Sequence, residues 1–136
     1  MRTGVSIAGL FILVLLATAG CTKHSSTVSG GGKGGAATLV ITPEHHGQFV
    51  DTCTIYIKYG TLDAPANGVY DDSTTCIIRD TTPVAVFPGL TAGEYYIFGI
   101  GYHATYTPPN VKGGVPVTIQ TADTNTLYLP TYTYYP

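Results

Sequence analysis

Glu44-His45-His46 is the first cluster in this chain whose residue types could hold a metal or move a proton. Adjacent residues on an extended segment point to opposite faces, so the two imidazoles are poorly placed to chelate one ion. Pro43 to Gly47 reads as a turn, in which both histidines would face water. Asp71-Asp72-Ser73-Thr74 offers oxygens of the kind calcium takes, but it lacks the spaced Asp/Asn ladder and closing Glu of a dedicated loop. A solvated turn or strand start is expected there instead. The carboxylates Asp51, Asp63, Asp71, Asp72, Asp80, Glu94 and Asp123 could supply an acid–base pair for glycoside hydrolysis, yet their spacing singles out no two. Gly-x-Ser-x-Gly, His-Glu-x-x-His and Ser-x-x-Lys do not occur, and Lys33 is followed by Gly34 where a phosphate loop needs Ser or Thr. The expectation is a chain with no catalytic residue, no metal and no cofactor.

Cysteine is the other reactive type. Cys53 and Cys76 form an even pair, which in an exported protein favours a disulfide worth about 3 kcal/mol by chain entropy. Two buried thiols acting as small hydrophobes are the alternative. No Cys-x-x-Cys pair occurs, so zinc is not expected at either.

These residues must be carried by strands. Thr, Tyr, Val, Ile and Gly dominate after residue 35, and good helix formers are scarce. About seven strands are expected: Ala37 to Thr42, Phe49 to Tyr59, Val69 to Arg79, Val84 to Phe87, Glu94 to His103, Val115 to Gln120 and Thr126 to Tyr132. Short strands at this spacing indicate a sandwich or small barrel. In the second, Cys53, Ile55 and Ile57 alternate with Thr52, Thr54, Tyr56 and Lys58, which puts Cys53 on the inward face. A pairing of Tyr59 with Tyr70 sets Cys53 opposite Cys76 and leaves Gly60 to Val69 as a loop. A tight Asn67-Gly68 hairpin would set Cys53 opposite Thr82 instead, and a cross-sheet bridge is a third arrangement. The longer loop is the preferred reading.

Composition narrows the partners. Six Lys and Arg against eight Asp and Glu give a net charge of −2, with no basic block to hold nucleic acid. Thr22 to Gly35 is nearly devoid of apolar residues and reads as a flexible tether spanning about 20 Å. Before it, Arg2 leads into the apolar run Val5 to Leu16, too short to span a bilayer and closed by small residues, as in a secretory signal. The chain thus divides into a signal at 1–20, Cys21 and tether at 21–35, and one β-domain at 36–136.

Ala19-Gly20-Cys21 resembles the lipobox of bacterial lipoproteins, with Thr18 where that family usually has Leu. The resemblance implies that Cys21 is diacylated, becomes the new N-terminus and anchors the protein to a membrane. Thr22, in place of the aspartate that retains such proteins at the inner membrane, implies the outer membrane, facing either periplasm or medium.

Phe87-Pro88-Gly89-Leu90-Thr91-Ala92-Gly93-Glu94-Tyr95-Tyr96, running on to Gly101-Tyr102, resembles the signature of prealbumin-like (carboxypeptidase regulatory-like) domains. It implies a seven-stranded Greek-key sandwich in which Phe87 and Leu90 fill the core and Tyr95 buries its ring while its hydroxyl reaches backbone. Such domains are commonly non-catalytic modules. The hydrolase branch of that superfamily ends in Tyr-Arg-Gly-Ser, whereas this chain ends Tyr134-Tyr135-Pro136.

With Tyr95 and Ile97 inward, the other face of that strand carries Tyr96, Phe98, Ile100 and Tyr102. This is very apolar for a face meeting water, so it is either covered or a binding face. The functional expectation is an envelope lipoprotein acting as an interaction or structural module, held to the membrane by its lipid and binding a partner protein through this face. Glycan binding by the Tyr rings is the alternative.

Overall fold

The alternation of Cys53, Ile55 and Ile57 with polar residues is realised as a strand, with all three buried. A computed structural model of the chain describes residues 30–136; the expected signal at 1–20, Cys21 and the expected tether as far as residue 29 lie outside the described residues. Strand segments follow in the order β1 (Lys33–His45), β2 (Gln48–Phe49), β3 (Thr52–Tyr59), β4 (Asp72–Thr75), β5 (Ile77–Arg79), β6 (Thr82–Leu90), β7 (Gly93–Tyr102), β8 (Asn110–Ile119), β9 (Thr124–Pro130) and β10 (Tyr132–Thr133). One sheet runs β10-β8-β7-β3-β4 and is antiparallel throughout. In the other, β1 pairs antiparallel with β2 and β6, β6 continues to β5, and β9 lies parallel to β1. The fold is all-β, as its composition requires.

Three of the expected strands are broken at points where the chain changes sheets. Phe49 to Tyr59 starts at the end of β2, on β1, and resumes as β3, on β7, with Val50 and Asp51 between them. Val69 to Arg79 becomes β4, on β3, and then β5, on β6, with Cys76 at the crossing. Thr126 to Tyr132 becomes β9, on β1, and then β10, on β8, with Thr131 at the crossing. Strands that switch sheets make the corners of a sandwich. Thr131 is held at its corner by Glu44, whose carbonyl accepts from the Thr131 N–H at 2.7 Å and from its hydroxyl at 3.0 Å.

The β3–β4 register is the longer-loop one. Thr54 faces Thr75, Ile57 faces Asp72, and the Cys76 N–H donates to the Cys53 carbonyl at 2.8 Å. Asn67-Gly68 makes no hairpin. It closes a local turn in which the Gly68 N–H donates to the Pro65 carbonyl at 2.9 Å. A true two-residue hairpin occurs at Asp80-Thr81, where Arg79 pairs with Thr82 and both turn residues have positive φ, 46° and 73°. Thr is β-branched and strained in that region. Thr81→Gly is therefore expected to raise stability by about 1 kcal/mol in urea unfolding.

The core lies between the sheets. Leu39 and Ile41 of β1, Ile55 and Ile57 of β3, Phe87 and Leu90 of β6, Tyr95 and Ile97 of β7, Ile119 and Leu129 are all fully buried. Each such side chain contributes about 1.5–3 kcal/mol on burial. The expected tether enters this core earlier than its composition suggests. β1 begins at Lys33, and Lys33 pairs with Leu90 before a bulge brings Ala37 to the same partner. A Cβ on Gly31 would enter the Tyr95 ring, and one on Gly35 would strike the Leu90 carbonyl. These glycines serve close packing rather than flexibility. The β-domain thus begins within the Gly-rich stretch, ahead of Ala36.

Candidate functional site

β7 pairs with β3 on one side and β8 on the other, so its outer face is the middle of the sheet surface. Tyr95, Ile97 and Gly99 point into the core, whereas Tyr96, Phe98 and Ile100 are half-buried on the outside and Tyr102 is 47% exposed. Two further rings join them. Tyr56 points outward from β3, and Tyr70, from the loop before β4, lies over the sheet. Tyr70 stacks on Phe98 with centroids 5.7 Å apart and planes at 16°, and meets Tyr56 at 5.5 Å. Offset stacking of this kind stabilises aromatic pairs by about 0.5–1.5 kcal/mol beyond burial.

Shallow depressions follow these rings. One of about 270 Å³ is lined by Tyr56, Gly68, Tyr70, Phe98 and Ile100. Beside it, one of about 390 Å³ shares Tyr56 and Tyr70 and ends on Asp71, Asp72 and Ser73. A third, of about 270 Å³, continues from Ile100 to Tyr102, Asn110 and Tyr134. Tyr134 is capped by the Lys112 ammonium, 4.5 Å from its ring centroid. The face is thus an aromatic strip edged by hydroxyls, an amide and carboxylates.

The acids at its end are engaged. Asp71 accepts from the Tyr59 N–H at 2.7 Å and from Lys58 at 2.9 Å. Partial burial pushes its pKa up, but these two donors outweigh it and hold the carboxyl below the usual range. Asp72 is likewise raised by burial and lowered further by Lys33, 3.2 Å away, and by the Ser73 N–H. Burial and then Asp72 push the Tyr59 phenol up to about 12. Neither carboxylate resembles a free calcium ligand.

Tyr96, Phe98, Ile100 and Tyr102 come together as one face. Exposed Tyr132, paired with Lys112 opposite Ile100, lies on that same face at the sheet edge, while Tyr128 is exposed on the other sheet. Sequence reasoning left out Tyr56 and Tyr70. Tyr56 was legible, since it alternates outward between Ile55 and Ile57. Tyr70 was not, because its position depends on how the loop folds back.

Cys53 and Cys76 stand opposite each other but are free thiols, correcting the expected disulfide. The Cys53 thiol lies 3.7 Å from the Thr54 carbonyl. The neighbouring Cys76 thiol, reinforced by burial, pushes the Cys53 pKa up, while the nearby Cys53 thiol draws that of the half-buried Cys76 down. Cys21 lies outside the described residues.

The histidines depart most from expectation. β1 runs on to His45, which is buried at 1% exposure, and the turn to β2 is made by His46, at φ 52°, and Gly47. His103, just beyond β7, is 3% exposed. Their ring centroids are 5.8 Å apart, and Tyr106 packs edge-on against both. None of their four ring nitrogens has a hydrogen-bond partner, a cost of about 1–3 kcal/mol for each unsatisfied group. Among the described residues, no three His, Cys, Asp or Glu side chains already converge on one point.

Comparison with family models, curated proteins and solved structures finds no match to this chain. Function must be argued from the geometry.

Burial, followed by the neighbouring His46 and His103, holds the His45 pKa below its ordinary value. The fold therefore keeps His45 neutral, whereas the unfolded chain takes up its proton near pH 6.5. The contribution is fully present above that pH and is lost as pH falls through the lowered value of the folded state. Thermal melts should show the midpoint dropping below about pH 6.5, and His45→Gln should flatten that dependence.

Proposed function

We propose that this chain is an envelope lipoprotein, anchored by a lipid on Cys21, whose prealbumin-like β-sandwich is a non-catalytic module that binds a partner protein through the outer face of β7. The observation that carries this reading is the half-buried strip of Tyr96, Phe98 and Ile100, roofed by Tyr70 and leading to exposed Tyr102. Aromatic residues in shallow depressions, with a polar rim, are the makings of an interface centre. Two packed sheets, and a buried Tyr95 whose hydroxyl donates to the Thr91 carbonyl at 2.7 Å, support the prealbumin-like assignment. The run from Leu15 to Cys21 supports the anchor, and acyl chains add binding energy with each buried methylene. The outer membrane is the proposed location.

In-cell photo-crosslinking from position 102 tests the interface. A discrete protein adduct, absent when the probe is moved to Ile78 on β5, is the expected result; equal silence at both positions would overturn the reading. Cys21→Ala should release the protein into the soluble fraction. A second reading, glycan binding, is favoured by the neighbouring Asp71, Asp72 and Ser73, which line the same depression as the rings of Tyr56 and Tyr70. Retardation in polysaccharide gels, abolished by Tyr70→Ala, would support it over a protein partner.

A further inference from the structure

His45 and His103 are the only pair of buried side chains among the described residues whose polar atoms are all unpartnered. A neutral imidazole carries one N–H and one lone pair. An aromatic ring can receive the N–H, and Tyr106 lies 4.4 Å from His45 and 4.7 Å from His103, centroid to centroid. Nothing among the described residues donates to the two lone pairs. Unpaired lone pairs on neighbouring neutral imidazoles are the donors that a metal ion takes.

We propose that His45 and His103 are the first two ligands of a divalent transition-metal site, of the zinc type, where the β1–β2 turn meets the loop after β7. Two imidazoles on one tetrahedral zinc, with Zn–N about 2.0–2.1 Å, place their ring centroids roughly 5–6 Å apart. The observed 5.8 Å falls within that span. His46 supplies the third nitrogen: its ring is 4.3 Å from that of His45, and it is exposed and free to turn inward. Water completes the set. This inward rotation is what closes the site, since the three rings do not yet converge. Asp51 is a positioning residue. Its Oδ2 lies 3.9 Å from His103 Nδ1 and accepts the Ala104 N–H at 2.8 Å. A small approach would let it accept a hydrogen bond from the Nδ1–H and so direct Nε2 to the ion, the usual partnership of a ligating histidine with a carboxylate. Tyr106, on the same loop as Ala104, covers both rings and is the element that must lift to admit the ion.

The test uses the full chain, purified in detergent, stripped with chelator and labelled at histidine for NMR. Addition of ZnCl2 is expected to shift the ring signals of His45, His46 and His103 together, saturating at equimolar zinc, with His24 unmoved. Co2+ should give a visible ligand-field absorption that Zn2+ removes. His45→Gln and His103→Gln should each weaken zinc binding about tenfold or more, and Asp51→Asn should do so by about 10–100-fold. Shifts confined to His24 and His46 would mean surface binding and overturn the site. So would unchanged His45 and His103 signals at excess zinc, which would assign the lone pairs to buried water. The wild-type titration decides between these results even if a variant fails to fold.

Discussion

Replacing Tyr95 with alanine is expected to remove about 3–5 kcal/mol of stability, a large share of the total for a domain of this size. The ring is fully buried and meets Tyr59 edge-on at 5.9 Å. Its hydroxyl is a three-way junction. It accepts the Gly32 N–H at 2.8 Å, donates to the Thr91 carbonyl at 2.7 Å, and lies 3.1 Å from the Gly32 carbonyl. The residues before β1 are thereby strapped over the start of β7, with Gly31 flat against the ring. Tyr95→Phe separates the two roles. It keeps the ring but leaves the Gly32 N–H without its partner, at a cost of about 1–3 kcal/mol. Urea unfolding of the two variants should give that order. A Phe variant as stable as wild type would show that the strap is not held by the hydroxyl, and hydrogen exchange at Gly32 would then be unchanged.

Gly113→Ala should cost about 1–3 kcal/mol or more, although it adds a single methyl group. Gly113 faces Gly99 across β7–β8, and on its other side the chain passes from β9 to β10. A Cβ there would strike the Pro130 carbonyl oxygen and lie 3.0 Å from the Thr131 Cα. These are backbone atoms at the corner where the chain changes sheets, so no rotamer change can relieve the clash. The corner is also pinned by Thr131 on Glu44 and by the Tyr134 N–H on the Asn110 carbonyl at 3.0 Å. Gly114→Ala is the control. The atoms nearest its Cβ belong to the Tyr96 phenol, the far end of a side chain that can swing aside, so the loss should be smaller. Equal losses from the two variants in chemical denaturation would remove the corner from the explanation.

Strand content and the inward and outward faces of β3 were legible in the sequence alone. They depend on composition and on a period of two, both local properties. The inward face of β7 came from the prealbumin-like resemblance, and the Cys53–Cys76 register was one of three arrangements the sequence allowed. Alternation puts Tyr96, Phe98, Ile100 and Tyr102 on one face of β7, and the resemblance implied that this face is the outer one. Tertiary structure decided the rest. The glycines at 31–35 read as a tether because nothing near them in sequence is apolar, yet Tyr95 lies 63 residues beyond Gly32 and needs close backbone there. His45 reads as a turn residue, but β1 carries it to the end of the sandwich, where His103 and Tyr106 cover it. The crossings at Cys76 and Thr131 cannot be told from continuous strands by alternation, since either sheet accepts the same pattern. Tyr70 acquires its place on Phe98 only when the loop folds back. Each of these depends on contacts between residues remote in the chain, and side-chain periodicity carries no information about which remote surfaces meet.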